Sequence, residues 1–187
     1  MDLVFGSFAE VASRIRVVVP YRTLREETVL ALAAQGPVDV EYREVDEFYD
    51  YYRLLCELWE RGKSFIMVEH DILPWPGALA ELWGCGTWCC MPYNLGGSNL
   101  IAAHGCTKFG ADVLEVTRER VLAIEGDERH WTRLDTVVNE ILEAVGLIRH
   151  VHDTPVLHLN RRVEDEYRHA HDLPPLHEVT PLRPHAS

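Results

Sequence analysis

Between Arg14 and Pro74 three short apolar runs, two of them rich in β-branched residues, alternate with two amphipathic helical patterns. This order restricts the fold more than any other feature. Arg14-Ile15-Arg16-Val17-Val18-Val19-Pro20 reads as a first strand. Thr23, with Glu26 three residues later, has the capping-box spacing and predicts a helix starting near Leu24. Its apolar face would be Leu24, Val29, Leu30, Leu32 and Ala33, and Gly36-Pro37 would stop it. Val38 to Tyr42 alternates as a second strand near a sheet edge. Asp46 is placed to cap a second helix, in which Phe48, Tyr52, Leu55, Leu58 and Trp59 recur at helical spacing up to Gly62. Phe65-Ile66-Met67-Val68 then has the character of a fully buried strand. Strand, helix, strand, helix, strand with short connections implies a parallel sheet with right-handed crossovers. The fold class is therefore α/β, a single domain with a mostly parallel central sheet flanked by helices.

The second half predicts a short mixed or antiparallel part. Pro76 suits the first turn of a short helix through Trp83. Thr87 to Met91 and Asn99 to Ala103 read as strands about a turn at Asn94-Leu95-Gly96-Gly97-Ser98, which together would form a hairpin. Thr107 to Glu115 reads as helical despite Gly110, and a strong helical pattern runs from Glu128 to Val145 with Gly146 as its stop. Leu147 to His152 and Pro155 to Leu159 are two final short strands. The domain spans residues 1–160, and the charged, Pro-rich residues 161–187 form a surface tail.

Composition narrows the function classes. A net charge of −12 opposes general nucleic-acid binding, which needs a basic surface against phosphates. No apolar run reaches the length of a membrane span. Met1-Asp2-Leu3-Val4-Phe5 lacks a basic region followed by an apolar one, so no signal peptide is expected. The 5 cysteines are an odd number and read as reduced thiols in a cytoplasm. Cys85, Cys89, Cys90 and Cys106 lack a paired C-x₂-C spacing and read as buried free thiols.

The chemistry concentrates where the third strand ends. Glu69 and Asp71 flank His70 there, and alternation along a strand would aim both carboxylates to one side. Ligand sites of open α/β sheets lie beyond the carboxyl ends of strands. Two hard oxygen ligands at that edge suit Mg²⁺ or Mn²⁺ carrying substrate phosphates. In the long helix Trp131, Asp135, Val138, Leu142 and Val145 form one stripe, which puts Asp135 on an apolar face. A carboxylate there costs free energy unless it is paired, coordinated or facing a polar cavity, and it is a candidate general base. His150, His152 and His158 follow, and a histidine from a C-terminal strand would complete a site begun by Asp71. No P-loop, GxGxxG or G-x-S-x-G pattern is present.

From about residue 14 to residue 160 the arrangement resembles the GT-A type of nucleotide-diphospho-sugar glycosyltransferase, a Rossmann-like fold. Four features carry the resemblance: the first strand ending Val19-Pro20-Tyr21-Arg22, a DxD-like Glu69-His70-Asp71 followed by Pro74 and Gly77-Ala78-Leu79, the acidic residue of Trp131-Thr132-Arg133-Leu134-Asp135, and a C-terminal histidine matched by His158 or His152. The chain departs from that family in having Glu at the first acidic position and in its shortness. The resemblance implies a metal-dependent glycosyltransferase. Asp71 and Glu69 would hold Mn²⁺ or Mg²⁺, with His158 or His152 as a further ligand. Pro20, Tyr21, Arg22, Asp46, Glu69 and His70 would line the nucleotide, and Asp135 would act as base. Its partners would be a nucleotide-sugar donor and an acceptor the residues do not identify. A metal-dependent phosphoesterase using the same Asp and His residues, and a non-catalytic nucleotide-binding α/β protein, are the alternatives.

Overall fold

The computed structural model describes residues 15–47, 49–86, 88–94 and 100–159. The expected tail, the glycine turn at 95–98 and the first five residues lie outside them. The central sheet has 6 strands: β1 (Arg16–Tyr21), β2 (Asp39–Glu44), β3 (Phe65–Val68), β5 (Trp88–Cys90), β8 (Cys106–Phe109) and β9 (His150–Val151). Their spatial order is β2-β1-β3-β8-β5-β9. β1 pairs in parallel with β2 and β3, and β5 with β9, while β8 runs antiparallel between β3 and β5. The sheet is thus mostly parallel, as the sequence order implies.

Helices cover both faces. On one lie α2 (Asp50–Arg61), α4 (Ala111–Leu122) and α5 (Trp131–Ala144); on the other, α1 (Glu26–Ala33) and α3 (Ala78–Gly84). The strand alternation divides the core accordingly. Phe65 and Met67 join the first layer with Trp59, Phe109 and Leu142, while Ile66 and Val68 join the second with Leu32, Leu79 and Leu82. All four residues of β3 are fully buried, each contributing about 1.5–3 kcal/mol of apolar burial. Trp59 packs at 6.1 Å from Phe65 and 5.1 Å from Phe109, and donates its indole N–H to Thr117 at 3.0 Å.

Several boundaries differ from the sequence expectation. α1 starts at Glu26 with Arg25 as its N-cap, and no side chain caps it, so Thr23 is free to face the cleft described below. α2 likewise has Tyr49 rather than Asp46 at its N-cap. The hairpin forms from β6 (Tyr93–Asn94) and β7 (Leu100–Ile101), because Trp88–Cys90 is engaged by β8 and β9. Cys106–Phe109 is a central strand where a helix was expected, and the helix begins only after Gly110. Lys108 masked that strand. Its ammonium leaves the sheet to donate to the carbonyls of Trp83, Cys85 and Gly86 at 2.8, 2.8 and 2.9 Å. The last two strands fall where expected: β9 at the sheet edge, and β10 (Leu157–His158), which pairs antiparallel with β4 (Ile72–Leu73).

Candidate active site

A cleft of about 770 Å³ opens beyond the carboxyl ends of β1, β2 and β3, the position that open α/β sheets reserve for ligands. Pro20, Arg22, Thr23 and Arg25 line one part of it, Asp46, Tyr49 and Tyr51 another, and Glu69, His70 and Asp71 a third. Trp131, the first residue of α5, also lines it and is 57 % exposed. Of the residues expected beside a nucleotide, Pro20, Arg22, Asp46, Glu69 and His70 therefore share one cleft. Tyr21 is the exception. It is buried in the core behind the cleft, and its hydroxyl pKa is raised by burial and by the carboxylates of Glu44 and Asp46.

Glu69 and Asp71 reach the cleft by a turn rather than by strand alternation. β3 ends at Val68, and the Ile72 N–H donates to the Glu69 carbonyl at 3.0 Å, closing a turn between β3 and β4. The turn is anchored on three sides. Glu69 N–H donates to the Gly105 carbonyl at 2.9 Å, the Thr28 hydroxyl to the His70 carbonyl at 2.6 Å, and Leu159 N–H to the Asp71 carbonyl at 2.7 Å. The last bond comes from the chain leaving β10 and brings His158 to the site. His158 Nε2 lies 3.4 Å from Asp71 Oδ2, and its ring stacks on Tyr93 at 5.7 Å. Gly105 makes room for that stack, since a Cβ there would sit 2.7 Å from the Tyr93 ring.

The two carboxyls of the turn are shifted in opposite directions. Burial, then the charges of Asp135 and Asp71, push the Glu69 carboxyl up to about 8 against a hydrogen bond from Tyr51. Burial also acts to raise Asp71, but the hydrogen bond from His158 and the proximity of His70 outweigh it, so Asp71 stays below the usual carboxylate range. Burial, with Arg25 and His158 nearby, lowers the pKa of His70. Asp71 Oδ1 and His158 Nδ1 are buried without a hydrogen-bond partner. The orphaned Asp71 oxygen and the His158 imidazole are donor types that a divalent ion takes, and an oxygen–nitrogen pair suits Mn²⁺ better than Mg²⁺.

Asp135 is a paired residue. The stripe that α5 buries is Leu134, Val138 and Leu142, with Asp135 at its margin. Its Oδ2 accepts the His104 backbone N–H at 3.2 Å, and its Oδ1 lies 3.1 Å from His104 Nδ1. His104 is wholly buried, with Nε2 3.0 Å from Asn139 Oδ1. Burial acts to raise the Asp135 pKa, but the charge and hydrogen bonds of His104 win and lower it. His104 went unnoticed in the sequence because it sits in a turn far from Asp135 in the chain. Tyr51 and Arg25 were hidden inside ordinary helical patterns. His152 does not join His158: it hydrogen-bonds Glu81 at 2.6 Å and packs beside His150 and Cys85.

No family model matches the chain, and no curated protein sequence matches it. Solved structures do. A glycosyltransferase involved in the glycosylation of the major capsid of PBCV-1 aligns with 82 % of this chain and 98 % of its own, at 14 % identity and a TM-score of 0.52. A protein of STIV aligns with 76 % of this chain and 83 % of its own (11 % identity, TM-score 0.48). A Bacillus anthracis protein described as a glucose-1-phosphate thymidylyltransferase, crystallised with sucrose, aligns with 89 % of this chain and 78 % of its own (10 % identity, TM-score 0.47). The first likeness shows that this chain shares the α/β fold of that structure. Among the described residues no helix is long and apolar enough to cross a membrane.

Proposed function

We propose that this protein is a glycosyltransferase that takes a sugar from a nucleoside-diphosphate donor, with Mn²⁺ or Mg²⁺ held by Asp71, Glu69 and His158. The observation that carries the reading is the buried, unpartnered Asp71 Oδ1, set beside Glu69 and His158 on the wall of a cleft beyond β1 and β3. The likeness in fold to a glycosyltransferase supports it. When bound, the ion offsets negative charge developing on the departing diphosphate. The protein's own groups do the rest. Arg22 and Arg25 bring positive charge to the diphosphate side of the cleft. Asp46 is placed to accept hydrogen bonds from ribose hydroxyls, and Tyr49 and Trp131 offer exposed aromatic faces to a base or sugar ring. Asp135, kept ionised by His104, takes the acceptor hydroxyl proton. Its lowered pKa keeps it in the basic form at neutral pH.

A thermal-shift screen of nucleoside diphosphates and sugar nucleotides, each with Mn²⁺ and with a chelator, tests the proposal. A specific ligand raises the melting temperature by mass action, and the rise should need the ion. Ligand-induced stabilisation that is equal in chelator would contradict the metal assignment. Absence of any shift across the set would contradict the donor class. Turnover of a sugar nucleotide only when an acceptor is supplied separates transfer from hydrolysis.

A further inference from the structure

At the opposite edge of the sheet from β2, the described residues hold a second set of metal-ligating side chains, softer in chemistry than those at Asp71. Cys85 caps the C-terminus of α3, and the Lys108 ammonium clamps its carbonyl together with those of Trp83 and Gly86. The edge strand β9 pairs with β5, with His150 opposite Cys89 and the His152 N–H donating to the Cys90 carbonyl at 3.0 Å. Two residues apart along this edge, His150 and His152 face the same way, and their rings lie 4.6 Å apart. Both turn toward Cys85. Its Sγ is 3.0 Å from His150 Nδ1, and one ligand atom from each of the three lies within 4.8 Å of the others.

The tautomer of His152 follows from its partner. Nδ1 sits 2.6 Å from Glu81 Oε1, and an ionised carboxylate only accepts, so Nδ1 carries the proton. In the neutral imidazole Nε2 is then the nitrogen that carries the lone pair. It is buried without a hydrogen-bond partner, in a residue only 8 % exposed. A carboxylate fixing one imidazole nitrogen while the other points to an ion is the usual supporting arrangement of metal-bound histidine.

We propose that Cys85, His150 and His152 bind a zinc ion, with Glu81 orienting His152 and a fourth position open to water on the exposed His150 side. A thiolate with two imidazoles selects Zn²⁺ over Mg²⁺ or Mn²⁺. Tetrahedral zinc, with bonds of about 2.0–2.3 Å, sets its ligand atoms roughly 3.3–3.8 Å apart, so closing the site asks for movement of about 1 Å. Binding displaces the Cys85 thiol proton to solvent. The ion would tie β9, a two-residue strand exposed at both positions, to α3.

The test uses the full chain loaded with Zn²⁺, freed of excess by gel filtration and assayed for metal by elemental analysis. Wild type should retain about one zinc per chain, and its Co²⁺ form should show a thiolate-to-cobalt charge-transfer band. Cys85→Ser and His150→Ala, neither at a fully buried position and both checked for folding by circular dichroism, should each bind at least about tenfold more weakly, and Cys85→Ser should lose the band. Asp71→Asn should keep both zinc and band, which separates this site from the proposed donor site. Failure of wild type to retain zinc, or retention and band unchanged in Cys85→Ser, would overturn the proposal.

Discussion

Replacing Glu69 by Gln should stabilise the metal-free protein, increasingly so as pH rises. In the folded chain burial and the neighbouring charges of Asp135 and Asp71 push the Glu69 carboxyl up to about 8, against an ordinary value of 4.5. Between those two values the folded chain holds a proton that the unfolded chain has released. Stability therefore falls as pH rises through that window, and the loss is complete above the folded value. From pH 5 to pH 8 the loss from this one group is about 3 kcal/mol. For a chain of this size 1 kcal/mol moves the melting temperature by about 2–4 °C, so the wild type should fall by about 6–12 °C relative to Glu69→Gln. Melts in chelator at pH 5, 6, 7 and 8, wild type against variant, read the titration of Glu69 together with that of the neighbouring Asp135 and Asp71. Saturating Mn²⁺ should remove most of the wild-type deficit at pH 8, because the ion favours the ionised carboxylate. Parallel wild-type and variant profiles in chelator would refute the reasoning, since they would mean that Glu69 is not confined with the other two acids.

Further expectations follow from the same geometry. His158→Ala should weaken Mn²⁺ binding at least about tenfold in calorimetry, while His152→Ala should leave it unchanged because His152 sits with Glu81. Asp135→Asn should lower sugar-transfer turnover by about a hundredfold or more, with donor affinity little changed. Because His104 holds Asp135 below its ordinary pKa, the contact stabilises the fold at neutral pH and weakens only as acid protonates Asp135. The variant should therefore melt lower, by the worth of a charged hydrogen bond, about 1–3 kcal/mol. Lys108→Met should be destabilising by about 3 kcal/mol or more in denaturant unfolding, because three carbonyls lose a charged donor.

The contrast between what the chain reveals and what it hides follows the range of the interactions. β1, β2 and β3 were legible because Val17–Val19 and Phe65–Val68 are unbroken apolar runs and Val38–Tyr42 alternates, each bounded by a helical period. The cleft followed from that order, since it fixes which strand ends meet. β8 was not legible because Lys108 stands in its middle, and its stem is buried only by virtue of three carbonyls supplied from α3 and the loop beyond it. Asp135 stood out as a polar residue beside an apolar stripe, yet its partner His104 comes from a turn with no periodic signal. No local pattern separates His158 from His152. The difference lies in the pairing of β10 with β4, which places one histidine at Asp71, and of β9 with β5, which sends the other to Cys85.

In the proposed function Asp71 holds a divalent ion through which a nucleoside diphosphate binds. Its most direct test is a calorimetric titration of the nucleoside diphosphate that gives the largest thermal shift, run on wild type and Asp71→Asn, each with Mn²⁺ and with chelator. Wild-type affinity should depend on Mn²⁺, Asp71→Asn should bind no better with Mn²⁺ than without, and the variant's circular dichroism should match wild type. Mn²⁺-dependent affinity unchanged in a folded Asp71→Asn variant would contradict it.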